Sequence, residues 1–284
     1  MGRDPVRAIS QTGVFVLFYL LTITVTAALW YWLGGQLVET TLTPFLGSIV
    51  ATYICWKIYD ETPLPQAGLT PDRRGVRDLA IGIAAGATGV ALALVPGLLL
   101  GLARFTAAPD GTHVTFGTTL FVTLLIFCGA AGEEMLFHGF AFQSLITGLG
   151  PFATILPVGM IFGLLHLGNP DATWLSTANT VGFGIIFGYA LYRTSGLWLP
   201  IGLHFGWNIA LPFFGVKISG ITMRVTGYEM TWSAGPLWSG GAYGPEGSVL
   251  TTGVLLLMLL FVWRYPFPRP AVALSEPVES EPAV

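Results

Sequence analysis

The sequence predicts an all-α bundle of about eight transmembrane helices, and three observations carry that prediction. Hydrophobic residues make up 53% of the 284 positions and charged residues only 10%, against roughly 25% charged in an ordinary soluble domain. Apolar runs of about 18 residues or more recur along the chain, and a helix of that length crosses a hydrocarbon core about 30 Å thick. The basic residues also fall on alternate sides of those runs, as membrane orientation requires. A disulfide scaffold is excluded, because the two cysteines, Cys55 and Cys128, sit in apolar runs and form no CxxC pair. Both read as small buried apolar residues.

The runs lie at roughly 12–33, 42–59, 78–102, 115–147, 151–167, 173–192, 196–214 and 248–264. Arg3 and Arg7 precede the first, which is too long for a signal-peptide core and reads as a retained span. The fourth is long enough to overrun the bilayer, so its end is expected along the interface. With the N-terminus cytoplasmic, nine basic residues (Arg3, Arg7, Lys57, Arg73, Arg74, Arg77, Arg193, Arg264 and Arg269) fall inside. Three (Arg104, Lys217 and Arg224) fall outside. Both termini are therefore expected in the cytoplasm.

Between the second and third runs, "GLTPDRRGVRD" carries helix-start chemistry. Thr70 can cap, Pro71 suits the first helical position and Asp72 faces the positive dipole end. Arg73, Arg74 and Arg77 are expected to meet anionic headgroups at the cytoplasmic surface. The long loop 215–247 holds Trp232, Trp238 and Tyr243 among glycines, aromatics expected at the membrane interface. Loops of this length are either functional or disordered, and a lid or substrate-facing flap is the functional form. Residues 1–264 are thus expected to form one transmembrane domain. Residues 265–284, rich in Pro, Glu and Ser, are expected to be a disordered cytoplasmic tail.

Chemistry concentrates in "AAGEEMLFHGF", residues 130–140, where two glutamates and a histidine interrupt an apolar run. A charged group at a span's centre costs about 2.5–3.5 kcal/mol, and each good apolar residue returns only about 0.3–0.6. Such groups are retained when they face a protein interior or a wet cavity. At about 100° per residue, Glu134 and His138 share one helical face as an i,i+4 pair while Glu133 points elsewhere. Glu133 is therefore expected in a cavity, with Glu134 and His138 supporting it. The fifth run carries Phe162 and His166 in "FGLLH", and the seventh carries His204 and Asn208 in "HFGWN", each pair at i,i+4. The fourth histidine, His113, lies in a loop and is read as solvated.

Glu, two His and Asn form a hydrolytic set. A glutamate in an apolar cavity beside a second carboxylate suits general-base duty, and a histidine can share its water. A second histidine with an asparagine can donate to a developing oxyanion. Close helix packing is expected at the small-xxx-small spacings Gly82/Gly86, Gly159/Gly163, Gly184/Gly188 and Gly202/Gly206.

These three elements in this order resemble the CAAX prenyl protease and bacteriocin-processing family of intramembrane endopeptidases, the type II CAAX proteases. Its motifs are Glu-Glu-x-x-x-Arg, Phe-x-x-x-His and His-x-x-x-Asn/Asp, and here they stand as "EEMLFH", "FGLLH" and "HFGWN" between about residues 120 and 211. The resemblance implies a bundle of about eight helices that hydrolyses peptide bonds of a membrane-associated substrate, in one branch a lipidated C-terminal segment. It implies that Glu133 and His166 activate water, that His204 and Asn208 form the oxyanion site, and that no tightly held metal is needed. Zinc held by Glu133, His166 and His204 is the alternative that the ligand types allow. No nucleic-acid partner is expected, and the bilayer is the expected surroundings, a cell membrane if the source is prokaryotic.

His138 stands where the family has arginine, which leaves a catalytically impaired scaffold as a second reading. A proton-coupled transporter is the third, since buried Glu and His chains suit it too. Straight spans would also leave His166 near the outer end of the fifth helix, away from Glu133. The three motifs meet only if that helix is tilted, broken near Asn169 and Pro170, or shifted.

Overall fold

The computed structural model describes residues 3–59, 68–108 and 114–266; His113 and most of the tail lie outside them. Helices account for about three-quarters of the described chain, and they lie where the apolar runs predict. Helix α1 spans Pro5–Tyr59 and covers the first two runs together. No loop separates them. Gly35, with φ 74°, breaks the helix at a single residue, and only glycine adopts that conformation freely. A Cβ built on Gly47 would meet Ile23 and Tyr19, so the halves fold back on one another as an antiparallel hairpin.

Helix α2 covers Arg73–Leu99. Its N-cap is Asp72, not Thr70: the carboxylate accepts the Gly75 N–H at 2.7 Å. The basic cluster that follows is partly neutralised within the protein, since Arg77 lies 2.9 Å and Arg74 4.0 Å from the buried Asp78. The fourth run is two helices, α3 (Phe116–His138) and α4 (Phe140–Leu149), parted at Gly139. A Cβ at Gly139 would collide with the Met135 carbonyl. Helices α5 (Pro151–Leu165), α6 (Trp174–Thr194) and α7 (Trp198–Phe213) follow, and α9 (Val249–Arg264) closes the bundle.

Four helical stretches among the described residues are long and apolar enough to cross a membrane: Pro5–Tyr59, Arg73–Leu99, Phe116–Leu149 and Pro151–Gly168. Large apolar side chains such as Leu17, Leu21, Leu156, Leu164, Leu256 and Trp263 point outward from the helices. That is the distribution a hydrocarbon surround requires, because lipid supplies no hydrophobic drive between helices and contact must come from close packing.

Glycine provides that contact in two places. Helices α2 and α7 meet backbone to backbone: a Cβ on Gly82 would lie 2.6 Å from the Leu199 carbonyl and 2.7 Å from the Leu203 nitrogen. Helices α5 and α6 meet in the same way, with Gly163 against the Val181 nitrogen and Gly184 against the Gly159 Cα. Helix α7 thereby runs through the centre of the bundle, with Leu199, Leu203, Trp207 and Leu211 almost fully buried.

The loops hold one element that the all-α reading lacks. Strand β1 (Ala103–Ala107) pairs antiparallel with β2 (Tyr228–Trp232), Phe105 opposite Met230. This clip ties the end of α2 to the long segment after α7, which also carries the short helix α8 (Pro236–Ser239). Among its aromatics, Trp238 is exposed, Trp232 packs over Gly97, and Tyr243 is buried.

Candidate active site

The three motifs converge on one cavity of about 770 Å³. Its walls come from α3, α5, α6 and α7, from the α1 segment just past the Gly35 break (Gln36, Leu37, Thr40 and Thr41), and from the long segment after α7. Helix α5 ends at Leu165, and His166–Gly168 form one 3₁₀ turn that runs directly into Asn169 and Pro170. His166 stands at this junction and lines the cavity.

Glu133 and Glu134 diverge, as two consecutive residues on a helix must. Glu133 lines the cavity, its side chain about one-third exposed. Its Oε2 atom lies 3.9 Å from Nε2 of His166 and 3.9 Å from Nε2 of His204, with no direct hydrogen-bond partner. Glu134 is completely buried and binds two imidazoles. Its Oε2 is 2.8 Å from Nδ1 of His138, and its Oε1 is 2.8 Å from Nδ1 of His204.

Backbone carbonyls anchor the other ring positions. Nδ1 of His166 donates to the Phe162 carbonyl at 2.7 Å, an acceptor-only group. The second ring nitrogen of His138 lies 3.2 Å from the Gly184 carbonyl. Gly188 leaves room for that ring, because a Cβ there would press on His138 and Phe142. Phe162 packs against His166 at 4.8 Å between ring centres, and Phe187 stacks on His204 at 5.0 Å. Both catalytic-motif imidazoles are thus held by one nitrogen and one ring face. Asn208, one turn beyond His204 on α7, also lines the cavity.

The geometry thus brings the candidate site residues together: Glu133, Phe162, His166, His204 and Asn208 line the cavity, with Glu134 and His138 behind them. Among the described residues no group of three His, Cys, Asp or Glu side chains is placed to hold a metal ion.

One residue at the cavity escapes the sequence reading. Glu246, in a 3₁₀ turn just before α9, reaches into it and is 6% exposed. Its Oε1 accepts the Trp207 indole N–H at 3.1 Å, and its Oε2 accepts the Ser219 backbone N–H and, at 3.0 Å, the Ser219 hydroxyl. Burial pushes this carboxyl above the ordinary glutamate range. In sequence it looks like a solvated loop acid favouring a helix start. The one available signal is its position in "YGPEGS", a glycine-rich turn directly before an apolar run.

Comparison with known proteins agrees with this geometry. Residues 115–210 match the family model of the type II CAAX prenyl endopeptidase Rce1-like proteins, and this segment contains all three motifs. Over 150 residues the chain is 26% identical to Uncharacterized protein YyaK of Bacillus subtilis (strain 168), an alignment covering 48% of this chain and 50% of that protein. The chain therefore spans about half the length of this curated relative.

Proposed function

We propose that this protein is an intramembrane endopeptidase that uses Glu133 as general base to drive water onto a peptide carbonyl. The observation that carries the reading is the spacing of Glu133 Oε2 from two imidazole nitrogens, 3.9 Å to each. That gap is too long for a direct hydrogen bond. It suits a bridging water, which at normal bond lengths of about 2.8 Å contacts both partners at an angle near 90°.

The tautomers follow from the partners. His166 donates through Nδ1 to a carbonyl, so the neutral ring presents a lone pair at Nε2 toward Glu133 and orients the water with it. His204 donates through Nδ1 to Glu134. Its Nε2 can therefore donate to an oxyanion only from the doubly protonated ring, whose charge the ionised Glu134 balances. Asn208 offers a second donor on the same side. In the step itself the water oxygen bonds to the carbonyl carbon, its proton passes to Glu133, and the carbonyl oxygen becomes the oxyanion. As the C–N bond breaks, Glu133 returns the proton to the leaving nitrogen.

The substrate is a membrane-associated peptide or protein, and both termini of the enzyme face the cytoplasm on the tally of basic residues. The test is cleavage in liposomes, read by mass spectrometry, for wild type and Glu133→Gln with a lipidated C-terminal peptide and a pool of short membrane peptides. Loss of the base should lower kcat by about 10²–10⁴-fold. Equal cleavage by the two proteins removes Glu133 from the chemistry.

A further inference from the structure

Glu246 is a buried carboxylate without a cationic partner. Its three hydrogen bonds come from neutral donors, Trp207 and Ser219, and no lysine or arginine lines the cavity among the described residues. The cations of its own segment are engaged elsewhere: Lys217 with Asp171 at 3.2 Å, Arg224 with Glu229 at 3.6 Å. An uncompensated buried charge is costly, and its retention in a membrane protein points to a functional partner.

Around it lies a polar corner with hydrogen-bonding capacity to spare. The buried Tyr243 hydroxyl lies within hydrogen-bonding reach of Ser219, Asn169 and Thr180, and these three, rather than Tyr243 itself, line the cavity. Thr180 and Ser219 spend their hydroxyl protons on the Ser176 carbonyl and on Glu246, so their free capacity is as acceptors. The corner adjoins the reaction centre, because Asn169 follows the His166–Gly168 turn and Glu246 lines the same cavity as His166 and His204.

We propose that this corner is a subsite for a lysine or arginine side chain of the peptide that is cut. An ammonium has three donors and no acceptor, and a guanidinium five. The corner answers with the Glu246 carboxylate and the oxygens of Asn169 and Thr180, which Tyr243 backs from behind. A free carboxylate in this corner finds the opposite: the Glu246 carboxylate, and no lysine or arginine to meet it. The substrate class is therefore a membrane peptide with a basic residue close to the scissile bond, and a substrate that places its terminal carboxylate in this corner is disfavoured. This rests on the peptidase reading for the identity of the ligand as substrate.

The test is a set of membrane peptides identical except for one position, placed in turn on either side of the cut, that carries Lys, Gln or Glu. In wild type the best-placed lysine should raise kcat/KM over glutamine by roughly ten- to a hundred-fold, the range of a charge-assisted hydrogen bond, and glutamate should lower it. Glu246→Gln should collapse the Lys/Gln ratio toward one. Tyr243→Phe leaves the Glu246 hydrogen bonds to Trp207 and Ser219 in place while removing the hydroxyl behind Asn169 and Thr180, and it should lower the ratio several-fold. No lysine preference in wild type, or a ratio that survives both variants while all rates fall together, overturns the subsite and leaves Glu246 as a latch on the loop. Binding of the same labelled peptides to Glu133→Gln separates the two readings. Lysine-selective binding that Glu246→Gln abolishes supports the subsite even if wild type cuts nothing, whereas cutting without charge preference sustains the peptidase and removes the subsite.

Discussion

Replacing Gly82 by alanine tests whether the contact between α2 and α7 sets the position of the candidate active site. A Cβ there would lie 2.6 Å from the Leu199 carbonyl oxygen, 2.7 Å from the Leu203 nitrogen and 2.8 Å from the Gly202 Cα, where ordinary contact begins at 3.4 Å. The helices must therefore separate by about 0.8 Å at this point, and all three opposing atoms are backbone, so no rotamer change absorbs the overlap. Overpacking of this kind costs about 1–3 kcal/mol; the better helix propensity of alanine returns up to about 1 kcal/mol. The consequence for activity is larger. Leu203 precedes His204, whose Nδ1 is held 2.8 Å from Glu134, and α7 is clasped between α2 on one side and α3 on the other. A displacement near 1 Å in a positioned catalytic group costs about 10²-fold in rate. Unfolding in detergent and peptide cleavage would be measured for Gly82→Ala beside Gly253→Ala on α9, where a Cβ meets nothing within 4 Å. The expected outcome is a lower unfolding midpoint and at least tenfold slower cleavage for Gly82→Ala alone. If both variants match wild type in both measurements, the close approach of α2 and α7 does not govern the site.

Three further outcomes follow from the same geometry. His138→Leu leaves the fully buried Glu134 with His204 as its one imidazole partner, and removing one member of a buried pair costs about 3–5 kcal/mol; a wild-type unfolding midpoint for this variant would show that the pair is not coupled. Asn208→Ala should lower kcat by about 10²–10³-fold with little change in KM, as loss of an oxyanion donor does, so a change confined to KM would place Asn208 in substrate binding instead. Glu246 gives a pH signature. Because burial raises its carboxyl above the unfolded value near 4.3, the native state binds more protons than the unfolded chain between those two values, and stability falls as pH rises through that window. The unfolding midpoint of Glu246→Gln minus that of wild type should therefore grow as pH rises above the unfolded value, and a constant difference would refute the burial argument.

What the sequence reveals and what it conceals divide along the range of the interactions. Glu134 and His138 are legible as a pair because they sit four residues apart on a helix, and helical periodicity alone puts them on one face. The glycine contacts are legible for the same reason, each being a four-residue spacing on one helix; which helices they join is not. Gly82 pairs with the α7 backbone and Gly163 with α6, choices fixed by how eight apolar segments share the available neighbours. His166 is hard to place because a straight helix through the fifth run carries it away from Glu133. Its place at the cavity depends on how α5 packs against α6, through contacts such as Gly163 on Val181 that lie outside the run itself. The β1–β2 clip and Glu246 are still less visible, because their partners lie more than a hundred residues away in one case and across a loop in the other. A loop glutamate has no periodicity to betray burial. Only when the segment after α7 folds over the cavity does Glu246 come beside Trp207, and only there does its lack of a cation become a physical problem that a bound substrate can solve.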